Sequence, residues 1–457
     1  MARNHGKGSD IASEVSYHIS RSMEAKLPSE VINKTKHHIL DTLAAMVSGS
    51  TLKAGQLAAK FVKNQTGRGE AQVVGTSVVD SAINAALANG VMAHADETDD
   101  SHPRSRTHPG CAIVPAALSM AEREKASGMN FIKAVVTGYD IGCRITQALG
   151  VRNLRRESRS THSIGGVFGA TSSAAAVLQL NEPQVRCALS YAAQQASGIE
   201  SWLRDEQHIE KAFVFGGMTA RNGVTAALLV QSGFTGVQDP FSGEHNFFKA
   251  FSGDPRPELL LEGLGSHYEI MSANIKNFPV GSPIQAPLEA LLLLIKRHGL
   301  THGDVQTIVA RLPDYGAAVV DNRAMPDVNL QYILAVTLLD GRLTFEAAHA
   351  YERMGEPAVL ELRKRVRLVK DDELSSAKVM RQGIVEVITK DGTELREHVV
   401  SVHGTAENPM TLEEVERKSE DLLAPVLGEA RSRELMDRIG NLENIANVRE
   451  LRPLLSA

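Results

Sequence analysis

Several things are scarce in this 457-residue chain, and each shortage narrows what it can be. Aromatic residues amount to 4%, with a single Trp, too few for the stacking platforms that hold single-stranded nucleic acid. Neither sign of charge dominates. The 49 Lys and Arg against 54 Asp and Glu leave a net charge of −5, which offers little to nucleic acid or to an anionic membrane. No run of about 20 uninterrupted apolar residues occurs, so no membrane span is expected. The opening MARNHGKGSDIASE lacks an apolar signal core and is read as carrying no targeting peptide. Three cysteines, Cys111, Cys143 and Cys187, are odd in number and far apart. They predict reduced thiols in a cytoplasmic protein rather than a disulfide frame or a zinc site. The absence of G-x-S-x-G, of a P-loop and of a strand–GxGxxG–helix unit argues against serine hydrolase, NTPase and dinucleotide-binding chemistry.

What is present falls into two textures. From residue 9 to about 270 the pattern is helical: Ile11, Val15, Ile19 and Met23 recur every four residues, on one helix face. Val31, Ile32, Thr35, Ile39, Leu43 and Met46 continue after a start at Pro28 and Ser29. SAINAALANGVMA and HSIGGVFGATSSAAAV are made of small residues, which lets backbones approach closely and predicts central helices. Near residue 271 the pattern changes. VQTIVARL (305–312), GIVEVITK (383–390) and ELREHVVSV (394–402) alternate as strands do, the last two joined through Asp391-Gly392, a hairpin signal. Short helices are expected at Glu346 to Met354 and Pro357 to Arg365. Thr411 and Glu414 fit a capping box where helix resumes. The expected architecture is mainly α: a large helical domain begun by residues 1–270, an inserted α+β segment at 271–405, and C-terminal helices (406–457) packing back on the first part.

The densest titratable stretch is HADETDDSHPRSRTHPG, residues 94–110, with four acids, three histidines, two arginines and two prolines. Three readings compete. His94, His102, His108, Asp96, Asp99 and Asp100 are all acceptable metal ligands, but no H-x-x-x-H spacing occurs, and Pro103 and Pro109 impose an irregular loop. A solvated loop explains the charge but not its position directly after an apolar helix. The third reading is acid–base work on a carboxylate. Arg104, Arg106, Lys211 and Lys276 are able to neutralise anionic groups, and histidines beside carboxylates are poised near neutral pH. His162 opens a small-residue helix, where backbone N–H groups and the helix dipole favour an anion; a capping histidine is the plainer alternative. Lys211 precedes a Gly pair in EKAFVFGGMTARNG that permits close backbone approach, and its plainer alternative is a solvated helix-end lysine.

The 94–110 stretch resembles the H-A-x-[DE]-x-D-D-[TS]-H…HP signature of the MmgE/PrpD family of 2-methylcitrate dehydratases, cis-aconitate decarboxylases and iminodisuccinate epimerases. The likeness extends, in order, to LDTLAAMVSGS (40–50), AVVTGYDIGCRI (134–145), THSIGGVFGATSSAAA (161–176), EKAFVFGGMTARNG (210–223), IKNFP (275–279) and DNRAMPDVNLQYILAVTLLDGRLTF (321–345). It implies a helical main domain, an α+β lid inserted in it, an active site in the cleft, a homodimer, no metal and no cofactor. It also implies catalytic roles for Glu97, His108, His162, Lys211 and Lys276. Ser101 matches the family's Thr or Ser and, with His102, Arg104 and Arg106, is expected to contact substrate. Two positions depart from the decarboxylases of the family. Gly281 stands where they carry a catalytic histidine, and Val320 where they carry a tyrosine. Ser282 and Gln285 nearby offer hydrogen bonds only. The expected activity is therefore a metal-independent lyase, a dehydratase of a hydroxylated di- or tricarboxylate. An epimerase, a decarboxylase and a non-catalytic carboxylate binder are the alternatives. Arg152, Arg155, Arg156 and Arg159 cluster as solvated charges or as extra carboxylate contacts.

Overall fold

The face marked by Val15 and Ile19 is buried in the first helix, Ile11–Arg21, which starts where the Asp10 carboxylate accepts the Ala12 N–H at 2.9 Å. This computed structural model describes residues 10–377, 379 and 381–457. Ser29–Gly49 follows, beginning at the serine after Pro28, and its second half is buried on all sides. The small-residue helices Ala82–Ala93 and Thr161–Val177 are central, and the latter crosses Gly128–Leu149 at backbone contact. A Cβ on Gly142 would lie 2.7 Å from the Gly165 carbonyl oxygen, so no larger residue fits. The strands β1 (Ala71–Gln72) and β2 (Val79–Asp80) form a minor antiparallel pair.

The second texture becomes a four-stranded sheet. The strands are β3 (Val305–Leu312), β4 (Val366–Lys370), β5 (Gly383–Thr389) and β6 (Glu394–Val399), in the order β4-β3-β5-β6. β3 runs parallel to β4 and antiparallel to β5, which is antiparallel to β6. Alternation buries Val305, Ile308, Ala310 and Leu312 of β3. The expected hairpin joins β5 to β6, with Gly392 at φ 85°, where a side chain would be strained. The helix expected from Glu346 to Met354 is corrected to Phe345–His349 followed by a separate turn at Glu352–Gly355. Extended backbone at Ala350 breaks it, and His349 turns away to an acid elsewhere in the fold.

Buried residues from 280 to 402 form a core of their own, in which Leu288, Leu291 and Leu294 of the helix Gln285–His298 meet Ile308, Val385 and Val387. A larger core combines residues from Val31 to Ile275 with residues from Val415 to Leu455. The helix Leu412–Leu427, opened by the foreseen Thr411/Glu414 capping box, lies along Ser29–Gly49. There Lys418 Nζ donates to Asp41 at 2.6 Å and to the Thr98 carbonyl at 3.0 Å. The protein is thus mainly helical with a small sheet. Among the described residues one continuous helical run, Ile209–Gln231, is long and apolar enough to cross a bilayer, and most of it is buried inside the protein, as for a core helix.

Candidate active site

The helix Ala82–Ala93 ends at His94 because the next residues prefer local turns to helix. Asp96 accepts from the Thr98 N–H at 2.9 Å and its hydroxyl at 2.6 Å, a short-range alternative to the helical ladder. The segment then turns inward, and Asp96, Glu97, Asp99 and Asp100 are all at most 3% exposed. Four buried carboxylates require cations or donors. Asp96 meets His349 Nε2 at 3.0 Å. Glu97 is ion-paired with Lys211 through one oxygen and with Lys276 through the other, at 3.1 Å. Asp100 accepts from Tyr139 at 2.5 Å and from the Gly110 N–H at 2.9 Å, with His38 Nδ1 at 2.8 Å, and ties the segment to three helices.

Asp99 is the hub. Its two oxygens lie 3.0 Å from His94 Nδ1 and 3.0 Å from His108 Nδ1, with Lys276 Nζ at 3.5 Å. Burial favours the protonated acid, yet His94, His108 and Lys276 together hold Asp99 well below the usual carboxylate range. His108 shows the reverse balance: burial draws it down despite Asp99, so the ring is neutral near neutral pH. With Nδ1–H donated to Asp99, its Nε2 is left as the acceptor.

Lys211 sits in the short helix Ile209–Ala212, and the next five residues, Phe213–Gly217, form a π turn that widens the helix. The predicted close approach occurs here, where a Cβ on Gly90 would meet the Gly216 carbonyl oxygen at 2.5 Å. Burial lowers Lys211 to about 7 and also draws Lys276 down. The π turn presents Phe215, on which the His162 ring stacks with centroids 3.8 Å apart. His162 is the second residue of the helix Thr161–Val177. Its Nδ1 is buried without a hydrogen-bond partner among the described residues, and burial keeps the ring neutral. Ser160 caps the Ser163 N–H, so the helix start is already partly satisfied by its own chain.

Glu97, His108, His162 and Lys211 line one cavity of about 60 Å³, walled by Trp202 and Phe215. Its other side comes from the 280–402 core, through Gly281, Ser282, Tyr315, Val319, Val328 and Arg381. Arg106 also reaches it, at φ 49°, with its guanidinium 4.4 Å from the Tyr315 ring centroid. Lys276 abuts from behind Glu97, donating to the Glu97 carbonyl at 2.8 Å.

Other expected residues lie elsewhere. His102 is buried away from the cavity, its Nδ1 2.8 Å from the Ser105 hydroxyl and its Nε2 3.2 Å from Glu269. His102 and Thr107 pair across the turn, which leaves Arg104 exposed at its tip. Ser101 pairs through its backbone with Asn274 and lines a separate small cavity with Lys276. His102 and Arg104, expected as substrate contacts, are thus not brought to the cavity: the turn points one inward and the other to solvent. Val320, expected where the decarboxylases of the family carry a tyrosine, does not line the cavity. It is fully buried in the 280–402 core, while Tyr315 and Val319 of its helix face the cavity. At Gly281 a Cβ would meet nothing closer than a Val328 methyl at 3.7 Å, so the space for a side chain is there and unfilled. Gln285 donates to the Phe278 and Val280 carbonyls and accepts from the Phe278 N–H. Residues that sequence reasoning missed as site members are Asp99, Trp202, Phe215, Tyr315 and Arg381. Asp99 stood in the quoted motif and Trp202 is the chain's single Trp, whereas the other three carry no local signal.

Two donor sets among the described residues could hold a metal ion, with ligand atoms within 4.8 Å: His94, Asp99 and Cys111, and His94, Glu97 and His208. Their donors have competing partners. The Cys111 thiol donates to the His108 carbonyl at 3.1 Å and burial pushes its pKa well up. Glu97 is shared by two lysines, and Asp327 holds His208 raised in spite of burial.

A mainly helical protein with a buried carboxylate–imidazole–ammonium cluster between two cores is the class that fold and site define. Residues 15–260 match the MmgE/PrpD N-terminal domain and residues 278–443 the MmgE/PrpD C-terminal domain, so the chain belongs to the MmgE/PrpD family. It is 25% identical to the cis-aconitate decarboxylase of Aspergillus terreus, over 98% of this chain and 96% of that one. It is also 25% identical to a cis-aconitate decarboxylase-like protein of Aspergillus oryzae, over 98% and 97% of the two chains. With the human cis-aconitate decarboxylase it shares 26% identity, over 94% and 91%.

Proposed function

We propose that this protein is a lyase that removes water from a hydroxylated di- or tricarboxylate by acid–base chemistry next to a carboxylate. The observation that carries the reading is His108, locked through Nδ1 by Asp99 and lining a cavity that Lys211 also lines. His108 Nε2 takes the proton from the carbon beside the carboxylate. The charge that develops on that carboxylate is held by Arg106 and Lys211, whose positions are set before substrate arrives, Lys211 by Glu97, which Lys276 braces from behind. The carbon–oxygen bond then breaks, and Lys211, at about 7, supplies the proton with which hydroxide leaves as water. His162 hydrogen-bonds a substrate oxygen through the nitrogen that has no protein partner.

Decarboxylation of an unsaturated tricarboxylate is the second reading, favoured by the relatives named above and opposed by Gly281. Incubation with 2-methylcitrate, citrate, malate and cis-aconitate in D₂O separates the possibilities. Loss of water supports the dehydratase, CO₂ release the decarboxylase, and deuterium gain with neither supports an epimerase. Carboxylate binding with none of the three outcomes overturns the enzyme reading.

A further inference from the structure

The 60 Å³ cavity is small against the roughly 300–1,000 Å³ of ordinary small-molecule sites. It does not end there. Arg106, Ser282, Pro283, Tyr315 and Arg381 are shared with an adjoining chamber of about 460 Å³, which opens outward past Arg152. We infer that this outer chamber is a second anion subsite, which takes the far carboxylate of a substrate longer than a compact tricarboxylate while the near end reacts at His108. The inference deepens the proposed reaction and rests on it for the near end only.

The charge on the chamber walls is what calls for an anion. Arg106, Arg152 and Arg381 have no carboxylate within 4.0 Å among the described residues, and Asp314 is the one acid on the described lining. Arg381 is half-buried, with its Nε buried and without a hydrogen-bond partner among the described residues. Burial lowers both Arg106 and Arg381, and neighbouring arginines add to it: Arg155 and Arg152 on the first, Arg106 and Arg155 on the second. Tyr315 is held between Arg106 and Arg155, at 4.4 and 4.0 Å from the guanidinium carbons, and Glu200 anchors Arg155 at 2.7 Å. These contacts fix Arg106 at the junction of the two spaces. Gathering three guanidinium groups around a chamber whose described lining has a single acid, Asp314, is unfavourable until an anion fills the space between them. A carboxylate is the matching ligand, since it accepts two parallel N–H bonds from one guanidinium.

The test is calorimetric binding to the full-length protein and does not require turnover. Succinate, adipate and suberate extend the distance between carboxylates, and octanoate keeps the chain of suberate with one carboxylate removed. The inference expects suberate to bind at least about 10-fold more tightly than succinate and than octanoate, the size of one charge-assisted hydrogen bond. The preference should vanish in Arg152→Ala/Arg381→Ala, and Arg381→Lys should restore part of it. Arg152 is exposed, so Arg152→Ala alone decides the matter, by a smaller change in the same direction, if the double variant does not fold. Three results overturn the inference: equal affinity for succinate and suberate, tight octanoate binding, or a length preference that survives the double variant. If no acid is turned over but the length preference holds, the lyase reading falls and the subsite stands.

Discussion

His102 is fully buried and His108, on the same loop, keeps about 10% of its side chain exposed; each meets a carboxylate, yet they end in opposite charge states. His102 is raised to about 10: burial opposes its charge, but Cys143 and Glu269 outweigh it. His108 is lowered, because burial outweighs Asp99. The difference lies in the partners: the Cys143 sulfur, ahead of Glu269, raises His102, whereas at His108 only carboxylates oppose burial. Glu269 is itself held down to about 2, against the pull of burial, by His102 and Arg144, and it accepts from Gln147 at 3.0 Å. Asp99 divides its charge among His94, His108 and Lys276. One imidazole becomes a fixed cation inside the helical core, the other a neutral base on a cavity wall. Residue type alone does not separate a structural histidine from a working one; the full set of groups packed against the ring does.

The comparison breaks most visibly at His108. His108→Ala should lower turnover by about 10²–10⁴-fold, the usual worth of a general base, with the urea midpoint near that of the wild type. Activity retained in full would remove His108 from the mechanism. Glu269→Ala should do the converse, costing about 3–5 kcal/mol in urea unfolding through the unpaired charge it leaves on His102. That cost is predicted to depend on pH. Glu269 is depressed, so its contribution is present above about 4.5 and is lost as pH falls toward about 2. His102 is raised, so its contribution is complete below about 6.5 and is lost as pH rises through about 10. The stability gap between wild type and variant should therefore be widest between about pH 4.5 and 6.5 and narrower on both sides. A gap that stays the same from about pH 2 to about pH 10 would mean that no such ion pair exists. The smallest effect is expected at the loop tip, where Arg104→Ala should change stability by under about 0.5 kcal/mol and leave kcat/KM as it was. A tenfold rise in KM would return Arg104 to the substrate.

Much of this was legible before any coordinates. The periodicity of Ile11, Val15 and Ile19, the small residues of Thr161–Val177, the Asp391-Gly392 turn and the Thr411/Glu414 box are local signals, and each corresponds to an observed element. The chemistry of 94–108 was visible as a density of charge. Its orientation was not, because a six-residue turn decides that His102 points inward, Arg104 outward and His108 into the cavity. β4 is not marked in the sequence because Arg367 and Lys370 hide the alternation of Val366 and Leu368. Tyr315 and Arg381 meet Arg106 only through tertiary folding, and no spacing in the chain reveals a contact across more than two hundred residues. Which residues of the short helix Asp314–Val320 reach the cavity is likewise set by the fold: Tyr315 and Val319 line it and Val320 does not.

The π turn at Phe213–Gly217 has an effect on tolerance to insertion and deletion. A widened turn accommodates one more residue than a regular helix, and each residue of a helix accounts for about 100° of rotation. Deleting one residue between Phe213 and Gly217 would give a smoother helix with better spaced hydrogen bonds, and it would swing Lys211 about a quarter of a turn away from Glu97. The same deletion beyond Gln231, where the chain has left the helix, would change no angle in the site. Changes in chain length are thus tolerated according to which side of this irregularity they fall on, and the local imperfection is what aims the lysine.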